Sequence, residues 1–346
     1  MKHVYLTIFL FFFLKGNSQE IFEYEKEISN KQNYSFKEIT FKNKLENINL
    51  SGTLITPKNG CNKIVIIVPG SGLDTRHSHY KLAEELLENN IGVYRYDERG
   101  VGNSEGENSQ INYGVSDITN DLISAIEAIR TNENIQIASL GLIGHSQGGM
   151  ATAGALKNGA NIDFLVQWSA PTQKHAEFLK YQIKTGVNNF DDELIYDDIN
   201  RKIEIISVAQ RVVEQNLQED DLKLSKKITK EAKKHGHKRR NYKRFQFWTF
   251  PSRKDLLRQN YEDTYINTKT PILYIIGSKD IFIDPKANSE LLKNFNNPLI
   301  EIDVIEGLNH FLTNEKMDPS ALKMSSTYYK IDNEASSKII QFIKEQ

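Results

Sequence analysis

The chain has 346 residues, a formal charge of -1, 39% apolar residues and 26% charged residues. That length suits two domains or one large α/β domain carrying an insertion. The near-neutral charge argues against a protein that is basic overall and built for nucleic acid, and a single cysteine, Cys61, excludes an internal disulfide framework.

Residues 1–19 differ in character from the rest. Met1-Lys2-His3 gives a short positive start, Val4 to Leu14 is an apolar run with five aromatic residues, and Gly16-Asn17-Ser18-Gln19 is small and polar. The run is too short to span a bilayer, so it reads as a cleaved secretory signal that leaves the mature chain secreted or periplasmic from about Glu20. Lys15, directly after the run, leaves an uncleaved N-terminal membrane anchor as the alternative.

Tyr34 to Phe41 and Ile48 to Leu54 alternate apolar and polar residues, as two antiparallel strands would. Lys63 to Val68 is apolar after its first residue, the mark of a strand covered on both faces in a parallel sheet, and it ends in the turn Pro69-Gly70-Ser71-Gly72. Tyr80 to Glu88 has helical spacing, Ile91 to Tyr96 is a strand and Ile118 to Ile129 a helix. This alternation predicts βαβ units and a largely parallel sheet. The Gly-rich loop Tyr96 to Gly106 lacks a following Gly-Lys-Ser/Thr and has the wrong glycine spacing for a dinucleotide, so Asp97 and Arg99 are read as holding the loop through a charge-assisted hydrogen bond. His77-Ser78-His79 and His235-Gly236-His237 each offer two metal ligands without a third at a recognisable spacing, and no metal centre is expected.

The apolar run Leu140 to Ile143 leads into Gly144-His145-Ser146-Gln147-Gly148-Gly149, a strand, a sharp turn and a helix start. A Gly-X-Ser-X-Gly turn holds its serine in a strained backbone conformation with the hydroxyl outward, at a helix N-terminus that favours a developing negative charge. Phe164 to Trp168 is a further strand. From Thr172 to Thr268 no strand pattern is found, and charged stretches with scattered Leu, Ile and Val predict three or four helices. Within it, Lys223 to Arg244 is strongly basic, either a solvated face balanced by Glu214 to Asp221 or a weak contact for anionic surfaces. Trp168, Trp248 and Phe250 are either core or walls of an apolar pocket. The strand pattern resumes at Ile272 to Ile276 and Leu299 to Val304, with helices at Ala287 to Phe295 and Glu334 to Lys344.

VPGSG at 68–72, YDERGVGNSEG at 96–106 and GHSQGG at 144–149 resemble, in order and approximate spacing, the α/β-hydrolase superfamily, in particular its bacterial secreted carboxylesterase-like branch. The resemblance covers about residues 34–172 and 268–346. It implies a mostly parallel central sheet with helices on both faces, an N-terminal two-stranded extension, a core of residues 20–171 and 269–346, and a helical cap at 172–268. It also implies a serine hydrolase in which nucleophile, acid and base follow one another along the chain. Ser146 is then the nucleophile. Among eight histidines only His310 follows the last core strand, which makes it the base. Asp280, after the strand Ile272 to Ile276, stands where the family carries its acid; Asp284 competes, although its place before Pro285 suits a turn or a helix cap. By the same resemblance the oxyanion hole is formed by the backbone N–H groups of Ser71 and Gln147. The expected reaction is cleavage of a small-molecule carboxylic ester through an acyl-enzyme, with no metal or organic cofactor implied. A peptidase or amidase of the same fold and a non-catalytic binding protein are the alternatives.

Overall fold

An apolar strand covered on both faces needs neighbours on both edges and helices above and below. In the computed structural model Lys63 to Val68 has all of these. The structure describes residues 21–109, 111–135, 137–187, 198–237, 249–319 and 329–346. The segment read as an export signal, the 238–244 end of the basic stretch and Trp248 lie outside the described residues.

The strands are β1 (Tyr34–Asn43), β2 (Ile48–Pro57), β3 (Lys63–Val68), β4 (Ile91–Tyr96), β5 (Ser139–His145), β6 (Phe164–Trp168), β7 (Ile272–Gly277) and β8 (Ile300–Ile305). They form one eight-stranded sheet in the order β1-β2-β4-β3-β5-β6-β7-β8. β1 and β2 pair antiparallel from Tyr34↔Pro57 to Asn43↔Ile48, and β2 runs antiparallel to β4. From β4 to β8 every pairing is parallel. This is the α/β-hydrolase fold, with a mixed, mostly parallel sheet and an N-terminal antiparallel hairpin.

Helices α1 (Tyr80–Glu88) and α10 (Asn333–Glu345) pack Leu82, Leu86, Ile339 and Ile343 against one face. Helices α2 (Val115–Arg130) and α3 (Gln147–Lys157) cover the other with Ile118, Leu122, Met150 and Ala153. α2 starts earlier than its apolar spacing indicates, because the Asp117 carboxylate accepts the Gly114 N–H at 2.7 Å and secures an additional turn. Between β6 and β7 the described residues hold no strand, a short 3-10 helix at Lys174–Ala176 and five α-helices: α4 (Phe178–Thr185), α5 (Ile199–Glu214), α6 (Asp221–Lys234), α7 (Pro251–Arg258) and α8 (Glu262–Asn267). That exceeds the three or four read from the sequence, since a break at Gln259 to Tyr261 divides α7 from α8. α9 (Pro285–Asn294) joins β7 to β8.

Asp97 and Arg99 do hold the Gly-rich loop, but not through each other. Asp97 accepts the Arg76 Nε–H at 3.1 Å and Nη2–H at 2.8 Å, together with the Asn103 N–H. The same Arg76 donates to Ser51 and Thr53, which explains how these polar residues are buried in β2 between two neighbouring strands. Arg99 forks onto Asp121 of α2, with Nε and Nη2 both at 2.8 Å, and onto Glu46 of the β1–β2 turn. Arg99 thereby ties the hairpin, the loop and α2 together in a nearly dry setting.

Removing one partner of such a pair leaves a buried charge uncompensated. Arg99→Ala is expected to destabilise the protein by about 3–5 kcal/mol, read as a lower urea midpoint at pH 7. A loss under about 1 kcal/mol, the range of exposed pairs, would contradict this role.

Candidate active site

β5 ends at His145 and α3 starts at Gln147, so the reversal falls on Ser146 alone, with φ 53° and ψ -118°. A non-glycine residue there carries strain of about 1–3 kcal/mol. Its surroundings hold it in place. The Ser146 N–H donates to the Trp168 carbonyl and its own carbonyl accepts from the Gly149 N–H, both at 2.9 Å. A Cβ at position 148 would run into the Val68 and Pro69 carbonyls, so only glycine lets α3 approach the end of β3 this closely. Gln147 supplies the first N–H of α3, which has no intrahelical carbonyl to bond. The Pro69 to Gly72 turn lies against the same spot: a Cβ on Gly70 would stand 3.2 Å from that of Ser146. Ser71 and Gln147 are thus carried by two turns that meet beside Ser146.

His310 lies on the loop after β8. Its Nδ1 is 2.7 Å from Asp280 Oδ2, and both side chains are buried. Asp280 Oδ1 accepts the Phe282 and Ile283 N–H groups at 2.7 and 2.9 Å, which fixes the carboxylate and leaves Oδ2 for the imidazole. A carboxylate on Nδ1 keeps the proton there and leaves Nε2 with its lone pair. Asp284, the other carboxylate in contention, accepts from the Lys286 and Ala287 N–H groups as the N-cap of α9. Asn309 staples the loop: its Oδ1 accepts from Phe311 and Thr313, and its Nδ2 donates to Thr313 Oγ1 and the Glu315 carbonyl. Among the described residues the Asp280 contact is the only side-chain hydrogen bond of His310, so its Nε2 is not bonded to Ser146 Oγ. Bonds of this kind are commonly long before substrate binds.

Sequence reasoning overlooked a row of buried groups behind His310. His145 Nε2 is 3.3 Å from the His310 carbonyl, which can only accept, so that nitrogen carries the hydrogen. His145 Nδ1 is then an acceptor, and His79 Nε2, 3.0 Å away, donates to it. His79 Nδ1 in turn accepts from Ser78 Oγ at 3.2 Å. The direction of the whole chain follows from one carbonyl, and it requires both rings to be neutral. Burial supplies that: it pushes His79 down to about 3 and His145 well below the ordinary histidine range. The Trp168 Nε1–H also donates to the His310 carbonyl, at 3.3 Å, so Trp168 is a core residue holding the backbone of the His310 loop. His145 sat inside the Gly-X-Ser-X-Gly motif as its unspecified residue; nothing local linked it to His79.

The turn carrying Ser71 is anchored from outside. Tyr24 OH donates to the Leu73 carbonyl at 2.9 Å, the Asp74 N–H donates to Glu98 Oε2 at 3.0 Å, and Tyr329 OH donates to Asp74 Oδ1 at 3.0 Å. Asp74 is buried beside Glu25 and Glu98. Burial first, and the Glu25 charge second, push its carboxyl up to about 7.

Residues 60–317 match the family model described as serine aminopeptidase, S33, and the chain belongs to that family, one of α/β-hydrolase-fold hydrolases. Over 114 residues it is 30% identical to the uncharacterized protein YfhR of Salmonella typhi, a match that spans 32% of this chain and 37% of that relative's length. The Pyrococcus furiosus esterase Pf2001 is similar in structure, with a TM-score of 0.57 and 20% identity over 94% of this chain and 98% of the other. A proline iminopeptidase of Mycobacterium smegmatis is similar with a TM-score of 0.54 and 13% identity over 90% and 98%. At these identities the structural likenesses establish the fold alone.

Because folding raises the Asp74 pKa from about 4 to about 7, the native state holds that proton more tightly than the unfolded chain. The contribution is full below about pH 4 and lost as the pH climbs to about 7. Asp74→Asn keeps an acceptor for Tyr329 and cannot ionise. Its stability relative to the parent, measured by urea melts, is expected to rise between about pH 4 and pH 7.5; a difference that stays flat with pH would contradict the assignment.

Proposed function

We propose that this member of the serine aminopeptidase S33 family is a carboxylesterase that works through an acyl-enzyme on Ser146. The observation that carries the reading is the buried 2.7 Å contact between His310 Nδ1 and Asp280 Oδ2, with Ser146 poised at the strained start of α3. A serine hydroxyl needs a base to remove its proton during attack. With Asp280 on Nδ1, His310 Nε2 is that base, and the imidazolium it becomes is stabilised by the carboxylate. Ser146 Oγ bonds to the ester carbonyl carbon, the carbonyl oxygen takes the negative charge, and the backbone N–H groups of Gln147 and Ser71 hold it. His310 returns the proton to the departing alcohol. Water then attacks the acyl group with His310 again as base, releasing the acid and restoring Ser146.

The helical insertion supports a roofed acyl site. Tyr181 OH of α4 donates to the Asp280 carbonyl at 2.9 Å, and Thr185 Oγ1 donates to the Ile281 carbonyl at 2.7 Å, so the first insertion helix is bonded to the acid loop itself. We read 172–268 as a cap over a small-molecule ester. We also read residues 1–19 as an export signal that leaves the enzyme secreted or periplasmic, and the basic stretch Lys223 to Arg244 as a weak contact for anionic surfaces; N-terminal sequencing of the exported protein tests the first of these.

The family description favours a second reading, an aminopeptidase, since the same triad cleaves amides. Aminoacyl p-nitroanilides separate the two. p-Nitrophenyl esters of graded acyl length should be turned over faster than the anilides, with the length optimum reporting the depth of the acyl pocket. A preference for the anilides would replace esterase with peptidase.

Ser146→Ala is expected to abolish turnover, and Asp280→Asn to lower kcat by about four orders of magnitude through the wrong imidazole tautomer. His310→Ala with undiminished activity would remove His310 from the mechanism.

A further inference from the structure

Arg95 of β4 is a buried cation with no carboxylate in direct contact; Glu25 and Glu84 act on its charge only from farther away. Arg95 is 4% exposed, donates Nη1–H to the Ser78 carbonyl at 2.8 Å, and has an Nε–H without a partner. Among the described residues no carboxylate lies within ion-pairing distance of it. Glu25, which shares the neighbourhood, is occupied by the Thr75 N–H and hydroxyl at 2.7 Å each. A buried, unpaired guanidinium is costly, and its unfilled donors form a planar fork suited to a carboxylate.

Arg95 lines a cavity of about 620 Å³ on the outer face of the antiparallel end of the sheet. Thr53 is its partner across β2 and β4, and Ile28, Phe36 and Ile55 supply apolar walls. The other cations of the lining are matched: Lys31 by Glu27 at 2.7 Å, and Arg76 by Asp97 and Glu38. The three cations are balanced in number by Glu27, Glu38 and Asp97, but Arg95 alone of the three has no carboxylate on its own donors, in a pocket whose rim carries two glutamates. A dianion would be repelled by those glutamates about twice as strongly as a monoanion, and a monoanion with an apolar tail also has the apolar walls to lie on. None of the lining residues belongs to the Ser146 site, so the pocket stands whatever that site cleaves.

We propose that this cavity is a binding site for a monocarboxylate on a short aliphatic chain, with the carboxylate on the free donors of Arg95 and the chain along Ile28, Phe36 and Ile55. The site is separate from the acyl site and is formed by the hairpin and the segment that precedes it.

Isothermal titration of the full chain with octanoate tests this. One octanoate should bind, with inorganic phosphate and 1-octanol each weaker by about tenfold or more, since the first is multiply charged and the second has no charge for the fork. Arg95→Gln should weaken octanoate by at least about tenfold while its circular dichroism is unchanged. Phe36 is 44% exposed at the pocket, so Phe36→Asp adds a third carboxylate without disturbing the core and should weaken octanoate similarly; it carries the test alone if Arg95→Gln does not fold. Octanoate bound equally by the parent and both variants would reveal occupancy elsewhere, such as the acyl site, and overturn the proposal. Phosphate bound more tightly than octanoate, or no heat from octanoate, would overturn it as well.

Discussion

The reversal at Ser146 is the constraint around which the described structure is arranged. A positive φ at a serine is tolerated only where neighbours leave the chain no easier path, and here they come from three directions. The Trp168 carbonyl takes the Ser146 N–H, the end of β3 presses on Gly148, and the Pro69 to Gly72 turn sets Gly70 against Ser146. Each contact is with a strand end or the turn that follows it, so the register of the parallel sheet is what brings the serine, the two candidate oxyanion donors and the His310 loop to one edge. This is where open α/β sheets hold their ligands, outside the carboxyl ends of the strands.

Charge is handled with the same economy of means. Two histidines lie directly behind His310, and had either been protonated it would have opposed the imidazolium that His310 becomes in the proposed mechanism. Their burial keeps them neutral, and neutrality lets them act as a one-way relay of hydrogen bonds ending on the His310 carbonyl. Asp280 stands alone in charge beside His310, its second oxygen consumed by backbone N–H groups. The Ser71 turn, by contrast, leans on a carboxyl crowd of Asp74, Glu25 and Glu98, and burial pushes the proton affinity of all three above the ordinary carboxylate range.

The antiparallel end of the sheet follows a different logic. Arg76 and Arg99 are each satisfied by two carboxylates and knit the hairpin to the loop after β4 and to α2. Arg95, on β4 and between them in sequence, has no carboxylate in direct contact. That contrast is what the proposed carboxylate site rests on.

Local chemistry was enough for much of this. A continuous apolar run specifies a strand covered on both faces, as at Lys63 to Val68, and the strands Ile91 to Tyr96 and Phe164 to Trp168 were likewise legible to the residue. The Gly-X-Ser-X-Gly turn announced itself because its backbone needs those residue types at that spacing, and chain order singled out His310. What stayed hidden depends on contacts between residues far apart in the chain. Asp97 is paired with Arg76 from the loop before α1, and Arg99 with Asp121 of α2 and Glu46 of the β1–β2 turn; His79 and His145 are 66 positions apart; the choice between Asp280 and Asp284 rests on which carboxylate faces a loop 30 residues on. Periodicity and turn chemistry act over a few residues and so are written in the sequence. The pairing of buried polar groups is decided only when the sheet closes and withdraws water from all of them at once.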